Sequence, residues 1–288
     1  MAVFNPQQLQ QLQEQAKRTC GYFSKAQLSE LQSQLNCSLD SLLKALLPVA
    51  ASFSQAPISH FNVGAVAYDE ITQSAYLGAN LEFSHQALSL VVHAEQSAIN
   101  NAWLNGAKEI SFIAITDAPC GYCRQFMNEL STSKRLSIML PTLDTKLTEL
   151  LPSSFGPQEL DNPERLLASN IVAIKSFSSD ISSKLQSHLQ HAYAPYSKNF
   201  AAVEICTQTH GVFYGRYAEN AAYNPSLSPM QSALSQLALA GLTIEHANVV
   251  EVTLVQSEGF ENQQAVTEAV LASYNANIKP KYVTAKLA

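Results

Sequence analysis

Charge is what this sequence has least of. Charged residues make up 14% of the 288, against roughly 25% in an average soluble protein, so the surface leans on Gln, Ser and Asn. The 17 Lys and Arg are outnumbered by 23 Asp and Glu, for a net charge of −6, and no long basic run is present. A phosphate-neutralising surface for DNA or RNA is therefore not expected. Long apolar runs are also missing. The stretch from Leu42 to Phe53 is broken by Lys44 and Pro48 and is too short to span a bilayer, so no membrane partner is expected. The Gln-rich start, Gln7 to Gln15, has neither a basic nor an apolar segment, which predicts no secretory signal. Cysteine is sparse and odd in number, five in all. That argues against a disulfide scaffold and for a reducing, cytoplasmic setting. What is present is an apolar fraction of 47%, enough for a sizeable core, in a chain long enough for two domains of roughly 100–150 residues.

The first fifty residues read as helices. Leu9, Leu12 and Ala16 fall at helical spacing, as do Leu28, Leu31 and Leu35, and Ser38 is placed to cap a helix carrying Leu42, Leu43, Leu46 and Leu47. The pattern then changes to strands over Phe61–Tyr68 and Ser74–Leu77, and a long helix over about Gln86–Leu104 ending at Gly106. An apolar strand over Glu109–Thr116, a helix over about Gly121–Leu130 and a short strand near Leu136–Leu140 follow. Alternating strands and helices predict an α/β layered fold with part of the sheet parallel. Pro141 to about Ser179 reads as an extended connector.

The second half repeats the first. Ala56-Pro57-Ile58-Ser59 returns as Ala194-Pro195-Tyr196-Ser197, Gly78 with Glu82 as Gly215 with Glu219, and Gln96-Ser97-Ala98 as Gln231-Ser232-Ala233. The strand beginning near Ile110 matches Val249–Val255. Their shared order over about ninety residues predicts a duplicated fold. The copies differ where chemistry would sit: His93-Ala94-Glu95 in the first half is Ser228-Pro229-Met230 in the second, and no cysteine follows the second copy's strand.

Two cysteines are paired in Pro119-Cys120-Gly121-Tyr122-Cys123, at a predicted strand-to-helix junction. Thiols three apart at a helix start share one face, and the free N–H groups there favour thiolates. That is half of a zinc site; His93 is the best third ligand, and a catalytic zinc leaves its fourth position to water. Glu95, beside the metal but not on it, could take a proton from that water and return it to a substrate nitrogen. A chance His-x-Glu is expected about 0.4 times in this chain, whereas Pro-Cys-x-x-Cys is expected roughly 0.004 times. The bland alternatives are a redox pair or a structural zinc for the cysteines, loop positions for His60 and His85, a turn role for Asn80, a solvated Glu82, a core Phe61 and a linker aromatic at Phe155.

With Phe61-Asn62-Val63-Gly64-Ala65, Gly78-Ala79-Asn80-Leu81-Glu82, His93-Ala94-Glu95-Gln96-Ser97-Ala98-Ile99 and Pro119-Cys120-Gly121-Tyr122-Cys123-Arg124-Gln125, the chain resembles cytidine deaminase. In its duplicated, stripped second half it is similar to the long homodimeric bacterial form. The His-x-Glu and Pro-Cys-x-x-Cys pair is also the signature of zinc-dependent nucleobase deaminases at large. The resemblance implies a three-layer α/β/α deaminase-type sandwich with a mixed sheet, duplicated and preceded by a small helical segment. Its expected divisions are 1–38 helical, 39–159 catalytic, 160–176 linker and 177–288 degenerate. It implies one Zn2+ per subunit on His93, Cys120 and Cys123, Glu95 as proton shuttle, and Phe61, Asn80, Glu82 and Ala94 on the substrate. By the same resemblance, Phe155 and Ala222 would reach into the partner subunit's site. The expected reaction is hydrolysis of cytidine and deoxycytidine to the uridine forms with release of ammonia, as in pyrimidine salvage. The rivals are a deaminase of another base or nucleotide, and a non-catalytic, zinc-stabilised nucleoside-binding protein.

Overall fold

In the computed structural model, which describes residues 4–168, 171–274 and 278–288, four helices lead the chain: α1 (Pro6–Arg18), α2 (Lys25–Leu35), α3 (Leu39–Ala45) and α4 (Leu47–Ala51). The two-residue strand β1 (Tyr22–Phe23) lies between α1 and α2. Asn5, Ser24 and Ser38 start the first three helices, each side chain accepting from a free N–H of the first turn. Next come β2 (Gly64–Asp69), β3 (Ser74–Ala79), α5 (Ala94–Leu104), β4 (Ile110–Ile115), α6 (Gly121–Met127), β5 (Ser137–Met139), β6 (Asp144–Lys146) and α7 (Leu147–Leu150). The second half adds β7 (Ile174–Phe177), α8 (Ser183–Gln190), β8 (Ala201–Thr207), β9 (Val212–Arg216), α9 (Pro229–Leu239), β10 (Val249–Ser257), α10 (Gln264–Ala272) and β11 (Lys281–Leu287). No helix among the described residues is long and apolar enough to cross a membrane.

The duplication is visible in the topology. One sheet has the order β1-β3-β2-β4-β5-β6 and the other β7-β11-β10-β8-β9. Within them, β3-β2-β4-β5 and β9-β8-β10-β11 are the same arrangement, antiparallel except for the parallel pairs β4–β5 and β10–β11. Both faces of the first sheet are covered. Along β2, Ala65 and Ala67 join the core that includes Ala98 and Ile99 of α5, while Val66 and Tyr68 join the core formed with α1–α4. The leading helices are thus one layer of the α/β/α sandwich rather than an appendage to it.

Gly78 and Gly215 recur for a steric reason. A Cβ at Gly78 would lie 2.1 Å from the backbone nitrogen of Ala98, and one at Gly215 would lie 2.2 Å from the carbonyl oxygen of Pro229. In each unit the central helix rests on its strand with no room for a side chain. The two central helices then pack on each other across a buried polar seam. The Ser97 and Ser235 hydroxyls meet at 2.7 Å, and Ser232 Oγ donates to Asn100 Oδ1 at 2.6 Å. The Gln96 amide donates to the Pro225 carbonyl at 2.9 Å, and its counterpart Gln231 donates to the Leu90 carbonyl. The repeated Gln-Ser-Ala motif is therefore a two-fold-like interface.

Three expectations need correction. Phe61–Val63 is not strand: β2 begins at Gly64, because the Asn80 side chain takes the Val63 N–H and the Phe61 carbonyl out of any ladder. The helix expected over 86–104 is broken. Leu81 and Val92 exchange both backbone hydrogen bonds, which holds 91–92 extended and leaves only a 3-10 turn at Leu88–Leu90 before α5. The expected connector contains β6, α7, a 3-10 turn at Pro157–Leu160 and β7. Its strands find partners in β5 and β11, pairings that local composition does not signal.

Gly78→Ala should lower stability by about 3 kcal/mol, the upper range for forced overpacking, read as a fall in the urea midpoint. An unchanged midpoint would mean that the helix can lift from β3 freely.

Candidate active site

The break before α5 makes His93 the N-cap of that helix, with extended backbone (φ −84°, ψ 154°). Cys120 is the N-cap of α6, and Cys123 lies in its first turn. Strand β4, which runs between the two helices in the chain, brings their starts to one edge of the sheet. The Cys120 Sγ is 3.4 Å from Cys123 Sγ and 3.7 Å from His93 Nδ1, and all three atoms lie within 4.8 Å of one another. Tetrahedral zinc with bonds of about 2.3 Å to sulfur and 2.0 Å to nitrogen needs its ligand atoms about 3.5–3.8 Å apart, so the donor set fits that ion. Among the described residues no other group of three or more potential ligands is so placed.

The electrostatics are those of a half-assembled ligand set. Cys120 is pulled down to about 3, chiefly by its hydrogen bond with Cys123, while Cys123 is pushed far up by the same contact and by burial. The contact between the sulfurs favours the charged form of Cys120 and the protonated form of Cys123. A divalent ion requires both as thiolates and would displace that proton. Burial opposes charge on His93, but the hydrogen bond and charge of Cys120 outweigh it and raise its pKa. Glu95, at the second position of α5, is only 3% exposed, and burial raises its carboxyl. Because His93 stands outside the helical turn, its ring and the Glu95 carboxyl line the same cavity despite their spacing.

That cavity, about 480 Å³ in volume, also takes in Phe61, Asn80, Glu82 and Ala94. Phe61 stands 56% exposed at its wall rather than in the core. The Asn80 Oδ1 accepts from Val63 N at 2.9 Å and Ser54 Oγ at 2.6 Å, and its Nδ2 donates to the Phe61 carbonyl at 3.0 Å. The turn role is therefore real, and one N–H remains for a ligand. Glu82 Oε2 accepts from the Ile58 and Ser59 N–H groups at 2.8 and 2.9 Å, and Oε1 from the Ser59 hydroxyl. Burial pushes its pKa up, but these bonds outweigh that and lower it, so Glu82 is a fixed carboxylate. His60 and His85 do occupy loops, both with left-handed backbone.

The second half holds the site from behind. Tyr122 stacks on His93 with ring centroids 5.6 Å apart, and its hydroxyl donates to the Asn224 carbonyl. Beyond the cysteines, α6 is anchored by Glu129, a fully buried carboxylate that accepts from Tyr193 Oη at 2.7 Å, Tyr196 Oη at 3.1 Å and Ala221 N at 2.6 Å. The Phe155 carbonyl accepts from Gln125 Nε2 at 2.6 Å and Asn128 Nδ2 at 3.0 Å, leaving the side chain 47% exposed. Asn220 Nδ2 donates to the Gln125 carbonyl at 2.9 Å, beside Ala222. Phe155 and Ala222 are thus both held from the end of α6, and neither lines the cavity of its own chain.

Reading the sequence missed Ser59 and Asp117 in the cavity wall, and Glu129 and Tyr122 behind it. For Ser59 a signal existed. Its motif recurs as Ser197, whose hydroxyl and N–H bond Glu219 as Ser59 bonds Glu82. Glu129 and Tyr122 carried no local signal, since their partners lie in the other half.

Comparison with known proteins agrees in both halves. Residues 38–139 and residues 147–270 each match a family described as "Cytidine and deoxycytidylate deaminase zinc-binding region". The chain is similar to a cytidine deaminase of Aliivibrio fischeri, 41% identical over 270 residues, covering 92% of this chain and 89% of the relative. It is also similar to cytidine deaminases of Vibrio vulnificus, 41% identical over 91% of this chain and 88% of the relative, and of Shewanella sediminis, 43% identical over 83% and 80%.

Cys120→Ala should abolish stoichiometric zinc in the purified protein, because a methyl group cannot replace a thiolate. Metal analysis that finds one zinc per chain in the variant would show that the ligand set is wrong.

Proposed function

This chain belongs to the cytidine deaminase family, and from that premise we propose that it is a zinc-dependent hydrolase converting cytidine and deoxycytidine, with water, to uridine and deoxyuridine and ammonia. The observation that carries the reading is the convergence of His93 Nδ1, Cys120 Sγ and Cys123 Sγ within 4.8 Å, beside the buried Glu95 in one cavity. Zinc, when bound by His93, Cys120 and Cys123, acidifies water so that hydroxide is available near neutral pH.

The chain's own residues do the rest. Glu95 takes a proton from the attacking water and returns it to a nitrogen of the substrate, the general acid–base role of the carboxylate in such enzymes. Burial, which raises its carboxyl, makes it a better proton carrier near neutrality than an ordinary Glu. The exposed face of Phe61 stacks on the pyrimidine. The remaining N–H of Asn80 and the lone pairs left on Glu82 take the sugar hydroxyls, and Ala94 at the start of α5 borders the base. Glu82 is fixed by three donors, so it binds without reorganising.

A nucleotide substrate would need a cation near the cavity free to take its phosphate, and Arg124 is not free. Arg124 Nε and Nη1 donate to the carbonyls of Pro119 and Leu150 at 2.8 and 2.9 Å, so the cation beside the cysteines serves α6. We assign catalysis to residues 39–159 and a supporting role to 177–288, joined by 160–176. The active form is a cytoplasmic homodimer in which Phe155 and Ala222 border the other subunit's cavity; this rests on their outward placement beside α6.

Glu95→Gln should retain one zinc per chain and the fold while losing turnover by about 10²–10⁴-fold, the usual contribution of a placed acid–base group; an active variant refutes the role. The shared site is tested by exchanging subunits of Glu95→Ala and Phe155→Ala proteins. Equal random mixing leaves half the dimers hybrid with one intact site each, so about a quarter of wild-type activity should return. No recovery after verified exchange would leave the deaminase reading standing and remove Phe155 from the site.

A further inference from the structure

Between the two units, at the opposite end of α5 from His93, lies another cavity of about 250 Å³. Its charged walls are all cationic or imidazole: Lys108, His188, His191 and Arg216, with no carboxylate among the described lining residues. Arg216 is 7% exposed and enters no ion pair among the described residues. Its Nη2 donates to the Trp103 carbonyl at 2.7 Å and its guanidinium carbon sits 4.3 Å from the Trp103 ring centroid. Those contacts cap α5 and occupy one N–H and one face. They leave Nε with no partner, as is also true of Nδ1 of His188. Three buried side-chain nitrogens or oxygens lack a partner among the described residues, and these are two of them. A neighbouring cavity of about 460 Å³ shares Leu104 and His188 and adds Lys17, Arg18 and Lys184, again without a carboxylate. Lys17 pairs with Glu14 at 2.6 Å, but Arg18, Lys108, Lys184 and Arg216 enter no ion pair among the described residues, in a chain whose net charge is −6.

Desolvating a guanidinium is costly unless a charge or several acceptors compensate it, and orphaned buried donors call for a missing partner. The planar edge of Arg matches tetrahedral oxyanions, and a neutral imidazole can add a donor beside it. We propose that this inter-unit cavity binds a small phosphate-bearing anion, with Arg216 and His188 as its inner donors and Lys108 and His191 at its rim. The shared chemistry is the phosphate group, borne either by free phosphate or polyphosphate or by a nucleotide whose remainder extends along the adjoining basic cavity.

The test is calorimetric titration of the zinc-loaded full chain with inorganic phosphate, tripolyphosphate and ATP at constant ionic strength. One saturable site per chain is expected, and Lys108→Ala and His191→Ala, both at the rim, should each weaken it by about tenfold, the loss for one charged hydrogen bond. Arg216→Gln should remove it; if that variant does not fold, the two rim variants decide. Tighter binding of ATP than of tripolyphosphate identifies a nucleotide as the source, and the reverse identifies the inorganic anion. No saturable binding of any of the three, or affinities unchanged in both rim variants, overturns the proposal.

Discussion

Helix α5 lies so close on β3 that a Cβ at Gly78 would meet the backbone nitrogen of Ala98 at 2.1 Å, and the geometry of the site follows from that contact. The helix can sit there only if the chain before it is drawn straight. The paired hydrogen bonds between Leu81 and Val92 do this and leave His93 as a non-helical cap. A cap residue points away from the helical stripe, so His93 and Glu95 reach one cavity when an unbroken helix would have separated them. The parallel β4–β5 step then delivers Cys120 and Cys123 to the same sheet edge. A metal centre on two helix starts needs both starts at one place, and close helix–strand packing supplies that rigidity.

The stripped second half is kept because it is structural support for the first. Its central helix mirrors α5 across the Ser97–Ser235 and Asn100–Ser232 contacts, so each unit covers an apolar and polar face that the other would leave in water. Through Asn224 and Tyr122 it presses on the ring of His93. Through Tyr193, Tyr196 and Ala221 it satisfies the buried Glu129 at the end of the helix that carries both thiolates. Losing the seam would expose buried polar groups in both units.

The retained parts of the second half mark the division between support and chemistry. Ser197 and Glu219 keep the hydrogen-bonding pattern of Ser59 and Glu82, because that pattern ties the loop before the strand to the turn after its hairpin partner. Ser228 and Met230 stand where the first unit has His93 and Glu95. Arg216 occupies the place of Ala79 beside the repeated glycine, and there it faces Trp103 rather than a site of its own unit.

The sequence by itself determined the chemistry and the repeat. Pro119-Cys120 and Cys123, with His93 and Glu95, point to zinc chemistry, because few residue types bind zinc and their spacing is a local property of helix starts. The caps at Ser38 and Cys120, and the period of the leading helices, were equally local. Tertiary structure alone decided that the first fifty residues are a layer of the sandwich, that Phe61 leaves its strand to stand in the open, and that the helix expected from Gln86 is cut at Val92. It alone brought Tyr122 and Glu129 against the second half and set Arg216 among cations at the seam. Each of these depends on a partner distant in the chain, and the energy that selects it comes from burial and hydrogen bonding between surfaces that do not exist until both halves have folded.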